Sequence, residues 1–515
     1  MQNDNLSVTE RVSDRFLSWL WKNRLPFFSS LVFGLLAHMF ILANKLPNHD
    51  DVAYLFSKGE TVRSGRWGLE LLRFLIPDYS MPWLHGIVSL LLLACSICII
   101  LDLFHVHSRL GQILVSALIV SFPSQIGTFC YMYTSSSYAV AFLFSVLAVR
   151  EARQHSWLHW LISALLVMLM FSIYQAYISI TASLMILLLI QELLEAGSEN
   201  REFSVFRQGL IYVAILVVGL EIYRLSITIS LSAVGGTVNQ YSNEAQYMAP
   251  GFPGGILVAY RFFVFNLISR YNMIIVSKFS RALHLFGIGL ALLAIAVNQL
   301  RSFRLPNFLL LLFCLIILPF SICVLYVVFY WNTIHTLVLY SYVCLLYLLP
   351  VIAVEALPPE KTKLLRDLLY AVFTVVLGIN VCFANRCYLK LHLEYENAYS
   401  LATTLVTQIR SVPGYDSSDR IVLYPAAGDA LHFAPEFGTR DEQEHDLMGV
   451  QVQLLTGYTE ADFIRNYIGA EMNIIPREEA EKLISDQDFE RMPVYPAYGS
   501  VQRIDDDTIF VKFAE

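Results

Sequence analysis

The stretch WLHWLISALLVMLMFSIYQAYISITASLMILLLIQELL, residues 157–194, decides the fold. It is almost uncharged and about twice as long as the ~20 apolar residues that cross a hydrocarbon core about 30 Å thick. One helix cannot place the whole stretch inside a bilayer, and the polar side chains near its middle, Ser172, Tyr174 and Gln175, favour a reversal there. The stretch therefore predicts two membrane-spanning helices, 157–174 and 175–194, joined by a tight turn.

Long apolar runs of this kind recur through the first three quarters of the chain. Of the 515 residues 56% are hydrophobic and 15% are charged, whereas soluble domains carry about 25% charged residues. Counting the runs predicts eleven spans and an all-α polytopic membrane protein. The predicted spans are 27–46, 82–104, 110–129, 134–150, 157–174, 175–194, 208–231, 282–300, 306–329, 337–356 and 366–386.

Composition also excludes several classes of protein. The net charge of −7 provides no basic field for nucleic acid. Most of the eight cysteines lie inside apolar runs, where a thiol behaves as a small hydrophobe, so we predict neither disulfides nor zinc. The acidic and histidine-containing stretch 429–446 matches no metal motif. No metal ligand is predicted, although a divalent metal that bridges donor and acid stays open.

Lysine and arginine predict the orientation, because positively charged short loops stay in the cytoplasm. Such residues precede the first span and follow the second, fourth, sixth, eighth and tenth spans. The predicted arrangement is a cytoplasmic segment 1–26, a transmembrane core 27–386 and an external domain 387–515. The core would also expose two external segments, 47–81 and 232–281, as interfacial structure.

The composition changes after residue 387. Charged residues occur throughout this tail, turn signals appear, and short apolar runs at 421–423, 494–495 and 509–511 are typical of strands. About 130 residues suffice for a core. The tail is therefore predicted to be a small soluble α/β domain.

Two acids follow the first span directly. Asp50 and Asp51 lie beside the bilayer, where a pair of carboxylates is costly unless it is hydrated, paired or used. A carboxylate at this place can take the proton from an acceptor hydroxyl while that oxygen attacks an anomeric carbon. The alternative is that residues 48–51, Asn-His-Asp-Asp, only cap the helix that follows. Both roles are compatible, with one Asp capping and the other catalytic.

Three short motifs carry a resemblance to a known family. NHDD at 48–51, Gly-Arg-Trp at 65–67 and the Tyr-Gln pair at 174–175 resemble the GtrII-like glucosyltransferases, bacterial O-antigen glucosylating enzymes of GT-C type architecture. The resemblance covers roughly the first 390 residues. It implies a bacterial inner-membrane enzyme, a polyprenyl-phosphate-linked glucose donor that is consumed on the periplasmic face, and a lipid-linked O-antigen repeat as acceptor.

Carried onto this chain, the family motifs imply a set of site residues. Asp50 and Asp51 would match the acid pair, Arg66 and Trp67 the Gly-Arg-Trp element, and Tyr174 and Gln175 the reversal motif. The tail beyond 390 matches no family pattern, which leaves the choice of acceptor in doubt.

The residues themselves suggest further contacts with the donor. Four external cations suit a donor phosphate, although snorkelling to lipid headgroups is the commoner fate of such side chains. Trp331 and His335, at the outer end of the ninth span, are predicted to line a sugar pocket, against the alternative that Trp331 is an interfacial belt residue. The four cations are Arg261, Arg270, Lys278 and Arg281.

The sequence thus predicts an inverting glycosyltransferase whose partners are the lipid-linked donor, the lipid-linked acceptor and membrane lipids. A flippase or transporter for a lipid-linked glycan is the rival of another class, but such proteins usually contain internal repeats, and none is visible here. A third hypothesis is an enzyme of the same architecture that transfers another sugar to lipid A or protein.

Overall fold

The computed structural model describes residues 8–55, 61–73, 75, 79–197, 199–236, 254–268, 274–328, 336–427, 454–484, 489 and 491–513. The helices up to residue 234 are α1 (Val8–Lys22), α2 (Arg24–Ala43), α3 (His49–Ala53), α4 (Trp67–Leu72), α5 (Pro82–Leu103), α6 (Arg109–Val120), α7 (Pro123–Cys130), α8 (Met132–Ala152), α9 (Trp157–Ile173), α10 (Ile178–Glu195) and α11 (Glu202–Val234). The later helices are α12 (Gly254–Ile268), α13 (Lys278–Arg301), α14 (Leu305–Ile322), α15 (Leu325–Val328), α16 (Leu349–Glu355), α17 (Pro359–Arg410), α18 (Glu460–Phe463) and α19 (Arg477–Leu483). Short 3₁₀ helices occupy Gln175–Tyr177 and Thr336–Leu339, and π-helical turns occupy Cys344–Leu348 and Ile464–Ile468.

The polytopic helical architecture predicted from the apolar runs is confirmed, and each of the eleven runs contains a helical segment. The number of clear spans is smaller. Within the described residues, nine helices are long and apolar enough to cross a membrane, and one bent pair would make a tenth. The remaining run forms α9, which has 17 residues and is shorter than a usual span.

The predicted span 110–129 is bent. The chain forms α6 and α7, which meet at an angle of 44°. Pro123 is the cause, because it lacks an N–H and therefore starts α7 instead of continuing α6. The next helix, α8, begins two residues after α7 ends, and it packs against both α5 and α9.

The long stretch 157–194 breaks where the polar residues predicted it would. Tyr174 has extended backbone dihedrals, φ −150° and ψ 100°, between α9 and the 3₁₀ turn at Gln175–Tyr177. Helix α10 follows and packs mainly on α14, whereas α9 packs on α8 and α11. The break leaves Tyr174 and Gln175 at the end of α9, which is where the candidate site forms.

The last span does not stop at residue 386. Helix α17 runs through 52 residues without interruption, across the predicted domain boundary at 387, and ends at Arg410. Its C-terminal turns supply Ala398, Leu405 and Ile409 to a hydrophobic core that also contains the strands near the C-terminus. Residues 395–513 are called the C-terminal region.

The small α/β part of the C-terminal region contains one four-stranded sheet of order β2-β1-β4-β3. Strands β1 (Arg420–Tyr424) and β4 (Thr508–Lys512) confirm two of the predicted strands, and β2 (Asn473–Ile474) and β3 (Val501–Arg503) complete the sheet. β1 is parallel to β2 and β4, and β3 is antiparallel to β4. The predicted strand at 494–495 is wrong, since neither residue lies in the sheet.

The predicted external segment 47–81 contains the short helices α3 and α4, as its amphipathic pattern indicated. Helix α4 packs against α9, and α3 packs against α18 of the C-terminal region. Val52 of α3 is fully buried in the same hydrophobic core as Phe463 and Ile409. The acid pair is thus held between the membrane helices and the C-terminal region.

Candidate active site

Helix α3 begins with a capping box that fixes the second acid. The amide N–H of Asp51 donates to Asn48 Oδ1 at 2.9 Å, and the amide N–H of Asn48 donates back to Asp51 Oδ2 at 3.4 Å. Such reciprocal bonds satisfy backbone donors that the first turn of a helix leaves unpaired. The capping alternative is therefore confirmed for Asp51.

Asp51 is also the more deeply buried acid of the two. Its side chain is inaccessible to solvent, its Oδ1 accepts from the amide N–H of Tyr133 at 3.3 Å, and the Ser80 hydroxyl provides a further hydrogen bond. Burial raises the pKa of Asp51 to about 7, against the lowering effect of these hydrogen bonds. Its oxygens are thus occupied by the protein.

Asp50 differs from its neighbour in access and in partners. Its side chain is 29% exposed, and its Oδ1 lies 3.4 Å from Nε2 of His49. Burial raises the pKa of Asp50, while the charges of His49 and Arg66 lower it. A carboxylate that is accessible and has a raised pKa suits proton transfer near neutral pH.

Arg66 brings the Gly-Arg-Trp element to the acid pair. Its Nη1 donates to the hydroxyl of Tyr138 at 3.0 Å, and its guanidinium lies over the ring of Tyr174, 5.6 Å from the centroid. The rings of Tyr138 and Tyr174 stack with centroids 4.1 Å apart. A guanidinium supported by two aromatic side chains and close to Asp50 is placed to receive an anionic group.

Gly65 explains why the Gly-Arg-Trp element meets the helix break. Its φ of +77° lies in the left-handed region, and an added Cβ would lie 2.8 Å from the hydroxyl of Tyr223. The carbonyl of Gly65 accepts from Tyr223 Oη at 3.0 Å and from Gln175 Nε2 at 3.3 Å. The side chain of Gln175 also donates to Tyr223 Oη at 2.8 Å. Only glycine fits this close approach.

Trp67 anchors the same element on a neighbouring helix. Its indole N–H donates to the hydroxyl of Ser226 on α11 at 3.0 Å. The structure thus brings together six of the residues predicted from sequence: Asp50, Asp51, Arg66, Trp67, Tyr174 and Gln175.

The other predicted residues are placed differently. Arg261 is exposed on α12, Lys278 is exposed at the start of α13, and Arg281 is half-buried one turn later. Their contact with a donor phosphate stays a prediction. Arg270, Trp331 and His335 lie outside the described residues, as does the acidic stretch 429–446.

Several polar atoms of the cluster are buried and find no hydrogen-bond partner among the described residues. They are Nδ2 of Asn48, Nδ1 of His49, Nε of Arg66 and Oη of Tyr174. Buried polar groups are normally hydrogen-bonded, so these four atoms are available to a bound ligand or to water. Within the same residues, no group of three or more His, Cys, Asp and Glu side chains is arranged to hold a metal ion.

Sequence reasoning missed the aromatic surroundings of the acids. The ring of His49 forms T-shaped contacts with the rings of Tyr131 and Tyr458, each with centroids 6.1 Å apart. Tyr131 and Tyr133 flank the start of α8, where the short break after Cys130 was a signal that could have been used. Tyr458 lies about 400 residues away in sequence, and no local signal identified it.

Fold and site together define a polytopic membrane protein with a carboxylate and guanidinium centre at one end of its helical bundle. The model of the family described as Glucosyl transferase GtrII matches residues 39–349, which is more than half of the chain and includes all three motifs. The chain belongs to this glucosyltransferase family and is a glycosyltransferase. No curated protein and no solved structure matches it.

Proposed function

We propose that the protein transfers glucose from polyprenyl-phosphate-glucose to a lipid-linked O-antigen repeat at the periplasmic face of the bacterial inner membrane. The observation that carries the proposal is the convergence of Asp50 with Arg66 in a partly accessible, aromatic-lined site. A base and an anion-binding cation are the two groups that this transfer requires.

Asp50 is the base in this mechanism. Its carboxylate takes the proton of the acceptor hydroxyl, and the acceptor oxygen forms a bond to the anomeric carbon of glucose. The bond between that carbon and the phosphate oxygen breaks, and its electron pair leaves with the polyprenyl phosphate. Attack from the face opposite the leaving group inverts the anomeric configuration. Asp51 positions Asp50, because its carboxylate closes the capping box of α3.

Arg66 stabilises the departing phosphate. A guanidinium has a planar set of donors that matches phosphate oxygens, and Nε of Arg66 has no partner within the described residues. Arg261, Arg270, Lys278 and Arg281 are further candidates for phosphate contact. Trp331 and His335 are candidates for the sugar pocket, together with the unpartnered hydroxyl of Tyr174.

The proposed side of the membrane follows from charge. Lysines and arginines of the short loops favour a cytoplasmic location for the N-terminus and for the end of the bundle that lies away from the acid pair. The acid pair then faces the periplasm together with the C-terminal region. Nucleotide sugars are absent from that compartment, so the donor has to be a lipid-linked sugar.

Transfer in vitro tests this proposal. Purified protein is incubated with radiolabelled polyprenyl-phosphate-glucose and with lipid-linked glycan extracted from cells that lack this chain. Label is expected in the glycan, and UDP-glucose is expected not to replace the donor. Undiminished transfer by Asp50→Asn would remove the proposed base. The same reaction with EDTA reports whether a divalent metal takes part.

The structure of the O-antigen tests the acceptor. NMR of O-antigen from cells with and without this chain is expected to differ by one glucose per modified repeat. An identical O-antigen, combined with a changed lipid A or glycoprotein, would assign the transfer to another acceptor.

A further inference from the structure

Tyr458 of the C-terminal region is an exposed aromatic side chain between buried residues. Leu454, Leu455 and Phe463 are almost completely buried in the core of that region, whereas Tyr458, between them in sequence, is 57% exposed. Its ring therefore lies outside that core and is open to contact with a ligand.

Tyr458 is presented to the acid pair. Its ring meets the ring of His49 edge to face, with centroids 6.1 Å apart and an interplanar angle of 88°. The residue is only partly buried, but this partial burial and then the charge of Asp50 raise the pKa of the Tyr458 hydroxyl, which therefore stays neutral. Tyr458 thus lies on the side of Asp50 that faces the C-terminal region.

The backbone that carries Tyr458 is held in place on both sides. The amide N–H of Thr456 donates to Thr459 Oγ1 at 2.9 Å, and Thr459 Oγ1 donates to the carbonyl of Leu454 at 2.7 Å. Helix α18 follows directly and packs against α3. Because the backbone of the turn is fixed at both ends, only the side-chain torsions of Tyr458 have to be ordered when the ring binds a ligand.

The two sides of Asp50 carry different chemistry. On one side, Arg66 offers charge and donors suited to the phosphate of the donor. On the other side, the Tyr458 ring offers an uncharged aromatic face, which binds the apolar C–H face of a sugar ring. The residues matched by the family end at 349, so this aromatic face comes from outside the matched part of the chain.

We propose that Tyr458 forms an acceptor subsite, in which its ring stacks on a sugar of the acceptor glycan and directs a hydroxyl of that glycan toward Asp50. The proposal rests on the proposed glucosyl transfer and deepens it. It assigns donor handling to the membrane helices and acceptor recognition to the C-terminal region.

Steady-state kinetics of three variants test the subsite. Tyr458→Ala is expected to raise the acceptor KM about tenfold, because an aromatic stacking contact contributes about 1.4 kcal/mol. The donor KM should stay within about twofold, and Tyr458→Phe should keep the wild-type acceptor KM since the ring face remains. Tyr498→Ala removes a fully exposed tyrosine of the same region and is the matched control.

Three results would overturn the subsite: an unchanged acceptor KM in Tyr458→Ala, a rise in the donor KM in its place, or a Tyr458→Phe variant as impaired as Tyr458→Ala. Saturation-transfer NMR with the extracted glycan keeps the subsite separate from the transfer itself. If the wild type makes no product, the proposed function fails, but glycan C–H signals that appear with wild type and vanish with Tyr458→Ala still support the subsite. No such signals with wild type would refute it.

Discussion

The membrane helices and the C-terminal region contribute to the candidate site in different ways. Between residues 45 and 224, the membrane part supplies charged and hydrogen-bonding groups that lie at or beside helix ends, such as Asp50, Arg66 and Gln175. The C-terminal region contributes apolar and aromatic contacts. It buries Val52 in its core and brings Tyr458 beside His49. Residues that carry the chemistry can therefore be identified in the sequence from their position near the ends of spans. Residues that position the site can be identified only from the tertiary packing.

The sharpest test of this difference uses the two neighbouring acids. Asp50→Asn is expected to lower kcat by about 10²–10⁴, since the base is lost. Asp51→Asn should lower it by less than about tenfold, because an amide oxygen still accepts from the backbone. Transfer of radiolabelled glucose measures both variants.

The control for this pair is Asp102→Asn, at the far end of α5, where Asp102 pairs with Lys22 at 3.0 Å. It should transfer glucose at the wild-type rate. Equal loss of kcat in Asp50→Asn and Asp51→Asn would contradict the division of roles between the acids.

Asp51 should also make the free energy of unfolding depend on pH. Its pKa is about 7 in the folded protein and near 3.8 in an unfolded chain. Between these values the folded state binds a proton that the unfolded state does not, so stability falls as pH rises from about 4 to about 7. The full difference corresponds to about 4 kcal/mol. Thermal unfolding midpoints of wild type and Asp51→Asn, measured at pH 5 and pH 8, check the effect.

In that experiment the wild type should lose stability relative to Asp51→Asn as pH rises, since asparagine does not titrate. Parallel pH dependences of the two proteins would show that Asp51 ionises as easily in the folded state as in the unfolded chain.

Much of the fold and half of the candidate site could be predicted from the sequence, and particular residues show the physical reasons. A bilayer requires a minimum length of apolar sequence for each crossing, so the spans could be predicted from the apolar runs. Tyr174 and Gln175 indicated the break inside 157–194. The bend at Pro123 was not predicted, because composition alone does not separate one bent span from a straight one. The end of α17 was missed, since its last turns stay helical while their buried side chains pack in the core that contains the strands.

Substitutions at two glycines test how much the stability of the membrane part depends on close packing. Gly65→Ala is expected to destabilise the protein by about 2–3 kcal/mol, because it adds a close contact to the strain of a positive φ. Gly235→Ala has a similar φ of +63° but no neighbouring atom within 4 Å, so it should cost only about 1 kcal/mol. Thermal unfolding compares the two, and equal losses would mean that the contact with Tyr223 does not matter.

The smallest expected effect tests the contact between the two parts. Val52→Ala removes two fully buried methyl groups from the core of the C-terminal region and should cost about 2 kcal/mol. Val32→Ala on α2, where the side chain is 53% exposed, is the control and should change the unfolding midpoint little. An equally small effect of Val52→Ala would separate α3 from that core.

Helix α17 connects the membrane-spanning part of the protein directly to the sheet of the C-terminal region. Its 52 residues extend about 78 Å at 1.5 Å per residue, more than twice the roughly 30 Å of a hydrocarbon core. Lipids of different chain length change the tilt of a spanning helix, and a continuous rod carries that tilt to its far end. That end packs in the core whose residues Leu455 and Phe463 flank Tyr458 in sequence, and Val52 of α3 lies in the same core, so the far end of α17 is joined to the aromatic ring and to the acid pair together.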